Sequence, residues 1–173
     1  MQERIRDCVL QIIADSVGTR GEGAYLIDVK VKGNERNRKI EIVVDADDGI
    51  RIHQCAYISR RIRERVEGDE ELLDLIGENF DLVVSSPGLG EAIILPRQYL
   101  RHVGKFMRVT FTAENGDRVE LNGHLLDVSL TEEGRSWIVI MPEKNKKKGH
   151  QPIIEGIRLY LDQVVRAVPD AEI

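Results

Sequence analysis

The chain predicts an α+β protein built as two small units, a two-layer α/β domain over residues 1–92 and a small antiparallel β-barrel over 93–173. Three observations carry that prediction. In the first half, helical apolar stripes and strand-like runs follow one another in the order α-β-β-α-β. An apolar run then stops on Ser85-Ser86-Pro87-Gly88. Beyond that stop the rhythm changes to short strands separated by tight turns.

Residues 2–17 predict an amphipathic helix, because Ile5, Cys8, Val9, Ile12, Ile13 and Val17 recur at three-and-four spacing along one stripe. Gly18 and Gly21 end it. Tyr25, Ile27, Val29 and Val31 then recur at every second position, as do Ile40, Ile42 and Val44. The polar Lys32–Arg38 segment between the two runs predicts a hairpin. A second helix over 53–66 carries Cys55, Ile58, Ile62 and Val66 on its apolar face. Leu72, Leu73 and Ile76 predict a short helical turn, and Phe80–Val84 a strand buried on both faces. Two helices on one side of a three-stranded sheet is the economical packing.

In the second half, Pro96 opens a short helix to about His102, where its missing N–H costs nothing, and Gly104 closes it. Strands follow at Met107–Thr112, Val119–Val128, Trp137–Met141, Ile153–Leu159 and Val164–Val168. Asn115-Gly116 is a hairpin signal between the first two. Such a run resembles the SH3-like and Sm-like barrels.

With 42% hydrophobic and 32% charged residues the chain should fold rather than stay disordered. Two units of roughly 85 residues would each bury only about 60–65% of their unfolded surface, so partner contacts would add to a modest stability. The net charge of −5 is unevenly spread: residues 1–84 hold 13 Lys/Arg against 18 Asp/Glu, and residues 85–173 hold 12 of each. An acidic first half argues against naked nucleic acid as the partner. The neutral second half carries Lys144, Lys146, Lys147 and Lys148 in one loop, which fits a mixed partner of protein and RNA. Cys8 and Cys55 sit at apolar helix positions and predict reduced thiols, not a disulfide. No secretory signal precedes the first helix, and no apolar run approaches the roughly 20 residues of a membrane span. A cytoplasmic protein with no membrane partner is expected.

Several motifs carry chemistry or resemble ones that do. Asp45-Ala-Asp-Asp-Gly49 lacks the spaced oxygens and distal glutamate of a calcium loop, and reads as a turn with an acidic helix entry. His53, His102, His124 and His150 have no metal-ligand spacing, so no metal and no cofactor is expected. Gly104-Lys105 is not a phosphate loop, since Tyr99 stands where glycine is needed and Phe106 where a hydroxyl would hold magnesium. Ser85 and Ser86 lack a nucleophile-elbow context, and no catalytic constellation stands out. A non-enzyme is expected.

Arg61 and Arg65 share a face of the second helix beside Glu64 and Glu67. They read either as a solvated surface with local ion pairs or as phosphate contacts. At Ser85-Ser86-Pro87-Gly88, proline presets the first turn dihedral and glycine can supply a positive φ. A rigid turn there serves as an interdomain stop, as a partner contact, or as both. The lysine loop is a solvated charge run or an RNA-backbone contact, with a log–log salt slope on the order of −3 if all four lysines neutralise phosphates. Nearby aromatics are few, only Trp137 and Tyr160, which favours backbone or protein contact over base stacking.

Val84-Ser-Ser-Pro-Gly-Leu89 after an apolar strand, followed by Pro96-x-x-Tyr99 and Val103-Gly104-Lys105, resembles the bacterial ribosome maturation factor RimP family. Gly123-x-Leu-Leu-Asp-Val128, the passage Asp45 to Arg61 with Cys55 and Ser59, and Val164-Val-Arg-Ala-Val-Pro169 extend the resemblance along nearly the whole chain. Where the family usually continues Asp-Arg-Pro after the leucine, this chain has Gly90-Glu91-Ala92, so a basic residue is missing from the turn and Arg97 or Arg101 is the nearest substitute. The resemblance implies a KH-like or ribosomal-protein-like α/β layer followed by an Sm-like barrel. It also implies binding to the immature 30S subunit, to 16S rRNA and a small-subunit protein near the decoding region. On that reading Lys144, Lys146, Lys147, Lys148 and Arg97 meet RNA backbone, and Ser85, Ser86, Pro87, Gly88 and Leu89 set geometry, with Arg61 and Arg65 as secondary candidates. A monomer is expected. The rival reading is a general Sm-like module that forms rings and binds short single-stranded RNA.

Overall fold

The first helix, α1 (Gln2–Ala14), buries Ile5, Cys8, Val9 and Ile12, the stripe expected from their spacing. It stops short of Val17, which is 74% exposed. The reason is local: the Ser16 hydroxyl donates to the Ile13 carbonyl at 2.6 Å and diverts the chain into a turn. The computed structural model describes residues 1–88, 90–143 and 155–170, which form two compact units, Met1–Pro87 and Gly88–Ile173.

In the first unit, β1 (Ala24–Asn34) and β2 (Asn37–Ala46) pair antiparallel, with Asn34 opposite Asn37 across a tight turn. The Asn34 side-chain oxygen accepts from the Arg36 and Asn37 amides, which holds that turn closed. The strict alternation expected along β1 fails at one place. The register shifts between Leu26 and Asp28, so the core receives Ala24 and Leu26 before the bulge and Val29 after it. Helices α2 (Ile52–Glu67) and α3 (Glu70–Ile76) then carry the chain across to β3 (Phe80–Ser85), which pairs parallel with β2. The strand order β1-β2-β3 leaves β3 at an edge. It is not buried on both faces, because the helices cover only one side of the sheet: Phe80, Leu82 and Val84 pack against the core while Asp81, Val83 and Ser85 are exposed.

The core of this unit runs from α1 through Ile40, Ile42 and Val44 to Ile58, Ile62 and Val66 of α2. Gln54 locks the start of α2. Its Oε1 accepts from the Arg51 amide at 2.8 Å, and its Nε2 donates to the Glu22 carbonyl at 2.8 Å. Asp69 caps α3 by accepting from the Leu72 amide. The Asp45–Gly49 segment is the expected turn, with the Gly49 amide donating to the Ala46 carbonyl. Cys8 is buried, Cys55 half-buried, and both are free.

The second unit begins with Pro96–His102, which is a 3-10 helix. Gln98 fixes its start by accepting from the Ile94 and Leu95 amides, both at 2.8 Å. Among the described residues five strands follow: β4 (Phe106–Thr112), β5 (Arg118–Ser129), β6 (Trp137–Pro142), β7 (Ile157–Tyr160) and β8 (Val164–Pro169). They form one antiparallel sheet in the order β7-β6-β5-β4-β8. The Asn115-Gly116 hairpin is present, with Gly116 at φ +88 and the Asn115 side chain accepting from the Asp117 amide. β7 is shorter than expected and starts at Ile157; Ile153 and Ile154 lie outside the described residues. The closed barrel expected from strand spacing is not seen among the described residues, because no ladder joins β7 to β8.

Reciprocal backbone bonds explain the Val103-Gly104-Lys105 string. The Gly104 amide donates to the Leu125 carbonyl at 2.7 Å, and the Leu125 amide to the Lys105 carbonyl at 2.9 Å. Gly104 needs φ +87 to make that approach. Tyr99 is buried above Met107, Val109, Leu125, Ile138 and Ile140, and burial pushes its hydroxyl up to about 12. The unfolded tyrosine ionises near 10, so the folded state holds its proton longer. That contribution to stability is complete below about pH 10 and is lost as pH rises towards about 12. Tyr99→Phe should therefore flatten the fall of the thermal midpoint over that range, measured by melting at stepped pH.

Candidate nucleic-acid interface

The candidate residues fall into four groups, the turn at 85–89, Arg97, Arg61 with Arg65, and the lysine loop, and the described residues take in the first three except Leu89. Ser85 is the last residue of β3 and is exposed, as are Ser86 and Gly88, while Pro87 is half-buried. Leu89 lies outside the described residues. The turn itself is displaced from the expected position. Gly88 is not in the left-handed region; Gly90 is, at φ +76, and the Glu91 amide donates to the Gly88 carbonyl at 3.3 Å. The Ser-Ser-Pro stretch is thus an exit from β3, and the positive-φ glycine lies beyond it at Gly90.

Arg97 is exposed on the 3-10 helix, held there because Gln98 and Tyr99 beside it point into the unit. Arg61 and Arg65 lie one helical turn apart on α2 and line a shallow depression with Glu64, Gly68, Asp69 and Glu70. Arg61 donates to Glu64 at 2.9 Å. Two guanidiniums facing three carboxylates make a mixed surface, which is the solvated-face reading and a poor seat for phosphate. Burial pushes the Cys8 thiol up, and the charge of Arg65 acts against that shift. Lys144, Lys146, Lys147 and Lys148 lie outside the described residues.

The structure also gathers cations that the sequence left scattered. On the face of the three-stranded sheet away from the helices, Lys32 stands directly opposite Lys39, with Lys30 opposite Glu41. Glu41 binds both Lys32 and Lys39 at 3.2 Å, and those two hydrogen bonds hold its carboxyl below the usual range. Pairing like charges across a ladder is unfavourable unless an acid stands between them. The signal was the polar phase of both strands, readable only once the register is known. Among the described residues no group of three or more His, Cys, Asp or Glu is placed to hold a metal, and no helix is long and apolar enough to cross a membrane.

The model of the RimP N-terminal domain matches residues 12–90. The ribosome maturation factor RimP of Pelodictyon phaeoclathratiforme is 69% identical over 173 residues, covering all of both chains. The chain belongs to the RimP family. Two further RimP relatives, from Chlorobium phaeovibrioides and Chlorobium phaeobacteroides, are 54% and 50% identical, again over the full length of both chains. The RimP N-terminal match begins at Ile12, near the end of α1, and ends at the positive-φ Gly90, so it takes in β1, β2, α2, α3 and β3.

Proposed function

We propose that the chain assists maturation of the small ribosomal subunit by binding its immature 30S form, and that it does so without catalysing a reaction. The observation that carries this reading is full-length identity of 69% to a protein named ribosome maturation factor RimP. Binding favours a productive rRNA–protein arrangement by differential affinity and ends when maturation removes the preference. The partners are 16S rRNA and a small-subunit protein near the decoding region, met in the cytoplasm by a monomer. Residues 1–92 act as a KH-like or ribosomal-protein-like domain and residues 93–173 as an Sm-like one. The strand order β7-β6-β5-β4-β8, with a 3-10 turn at Leu161–Gln163 before β8, supports the Sm-like reading. The Ile93 amide donates to the Ala167 carbonyl and occupies part of the free edge of β8, which supports a monomer over a ring.

In this reading Arg97 and the loop lysines Lys144, Lys146, Lys147 and Lys148 meet RNA backbone, and the exposed exit Ser85–Gly88 contacts the partner. Co-sedimentation with immature small subunits, mature small subunits and whole ribosomes tests it. Retention on small subunits but not whole ribosomes is expected. Replacing the four lysines by alanine should weaken retention and remove a salt slope on the order of 3. Absence from every ribosomal fraction, with tight binding to free short RNA, would overturn it in favour of the ring-forming module.

A further inference from the structure

Trp137 and Tyr160 are register partners in the antiparallel β6–β7 ladder, and the residues between them in phase, Ile138 and Leu159, point into the core. The pleat therefore turns Trp137, Val139, Arg158 and Tyr160 to the opposite face. The Arg158 guanidinium lies over the Trp137 ring, 4.2 Å from its centroid. The Arg135 guanidinium lies over Tyr160 at 3.8 Å, and Asp162 clamps it with two bonds of 2.7 and 2.8 Å. Arg158 is exposed and forms no ion pair with another described residue; the Arg135 side chain is 51% exposed.

The Trp137 and Tyr160 rings are thus each covered by a guanidinium, whose second side faces outward. A covered ring is no longer a platform, but a guanidinium held by one is. We propose that this face binds unpaired RNA, with bases stacking on Arg158 and Arg135 while the positive charge of Arg158 meets the backbone. The inference deepens the proposed function and rests on the chain meeting rRNA. A duplex hides its base faces and an acidic peptide offers charge without a plane, so neither fits this surface as well.

Trp137 is the only tryptophan, so its fluorescence reports on the site directly. The full-length chain is titrated with an unstructured oligoribonucleotide of about eight nucleotides, with the same strand in a duplex, and with a polyglutamate peptide. A fluorescence change with the single strand alone is expected. Arg158→Ala should weaken that binding about tenfold. Arg158→Lys should weaken it comparably, since an ammonium keeps the charge and loses the plane. Circular dichroism checks that both surface variants stay folded. No change with single strands, an equal change with polyglutamate, or wild-type affinity in Arg158→Lys would each overturn the stacking face. Co-sedimentation with immature small subunits separates the two readings: retention without a fluorescence change overturns the stacking face alone, and loss of retention overturns the assembly reading as well.

Discussion

Ile62→Ala is expected to destabilise the first unit by about 3–4 kcal/mol. Ile62 is 0% exposed in the middle of α2, within a core that also takes in Ile5 and Val9 of α1 and Ile40 and Ile42 of β2. Three carbons are lost there, and the start of the helix cannot sink to fill the space, because Gln54 ties it to the Glu22 carbonyl. A unit of this size has a total stability of only about 5–10 kcal/mol, so the change takes a large share of it. At about 4–8 °C per kcal/mol, the thermal midpoint should fall by at least about 12 °C. Ile52→Ala is the control. Ile52 begins the same helix but is 90% exposed, and its loss should stay within about 0.5 kcal/mol. Equal effects for the two variants in a calorimetric scan would mean that α2 is not packed as described.

Gly123→Ala should destabilise the second unit by about 2–3 kcal/mol, although it adds a single methyl group. Gly123 sits in the central strand β5, opposite Met107 on one side and Pro142 on the other. A Cβ there would collide with the Met141 carbonyl oxygen and lie 2.7 Å from its carbonyl carbon and 2.9 Å from the Pro142 Cα. All three are backbone atoms, so no rotamer change relieves the clash and the β5–β6 ladder must open. Gly116→Ala separates contact from conformation. Gly116 has φ +88 with nothing within 4 Å of a built Cβ, so only dihedral strain of about 1 kcal/mol is expected. Amide exchange at Val109, Leu125 and Ile138 should accelerate in Gly123→Ala and hardly change in Gly116→Ala.

How much of this was legible depends on whether a feature is local. The stripe Ile5–Cys8–Val9–Ile12 and the α2 face Ile58–Ile62–Val66 follow from one helical period, and both stand where the spacing put them. The phase of β1 did not follow, because a bulge at Leu26/Asp28 depends on the partner strand. The exposure of Val83 was hidden for the same reason: an apolar run looks alike whether one face of a sheet is covered or both are, and only the packing of the helices decides. At the candidate interface, Ser-Ser-Pro-Gly pointed to the end of β3, but the glycine that turns is Gly90. Nothing in the sequence shows that Arg158 covers Trp137, since that contact is set by the β6–β7 register. Arg61 with Glu64, one helical turn apart, was readable as an ion pair, and it is one.

The parallel pairing of β2 with β3 has a consequence for the time during which the chain is made. β1 and β2 can zip as a hairpin as soon as Ala46 has emerged, but the partner for the outer edge of β2 begins at Phe80. Residues 47–79 must be synthesised in between, which takes on the order of a few seconds at about 5–20 residues per second. Throughout that interval a strand bearing Ile40, Ile42 and Val44 keeps an unsatisfied row of amides and carbonyls. Lys39 and Glu41 alternate with those apolar residues and discourage pairing with a neighbouring nascent chain. The vulnerable state of this protein is therefore a half-built sheet, and its lifetime is set by the speed of translation through α2 and α3.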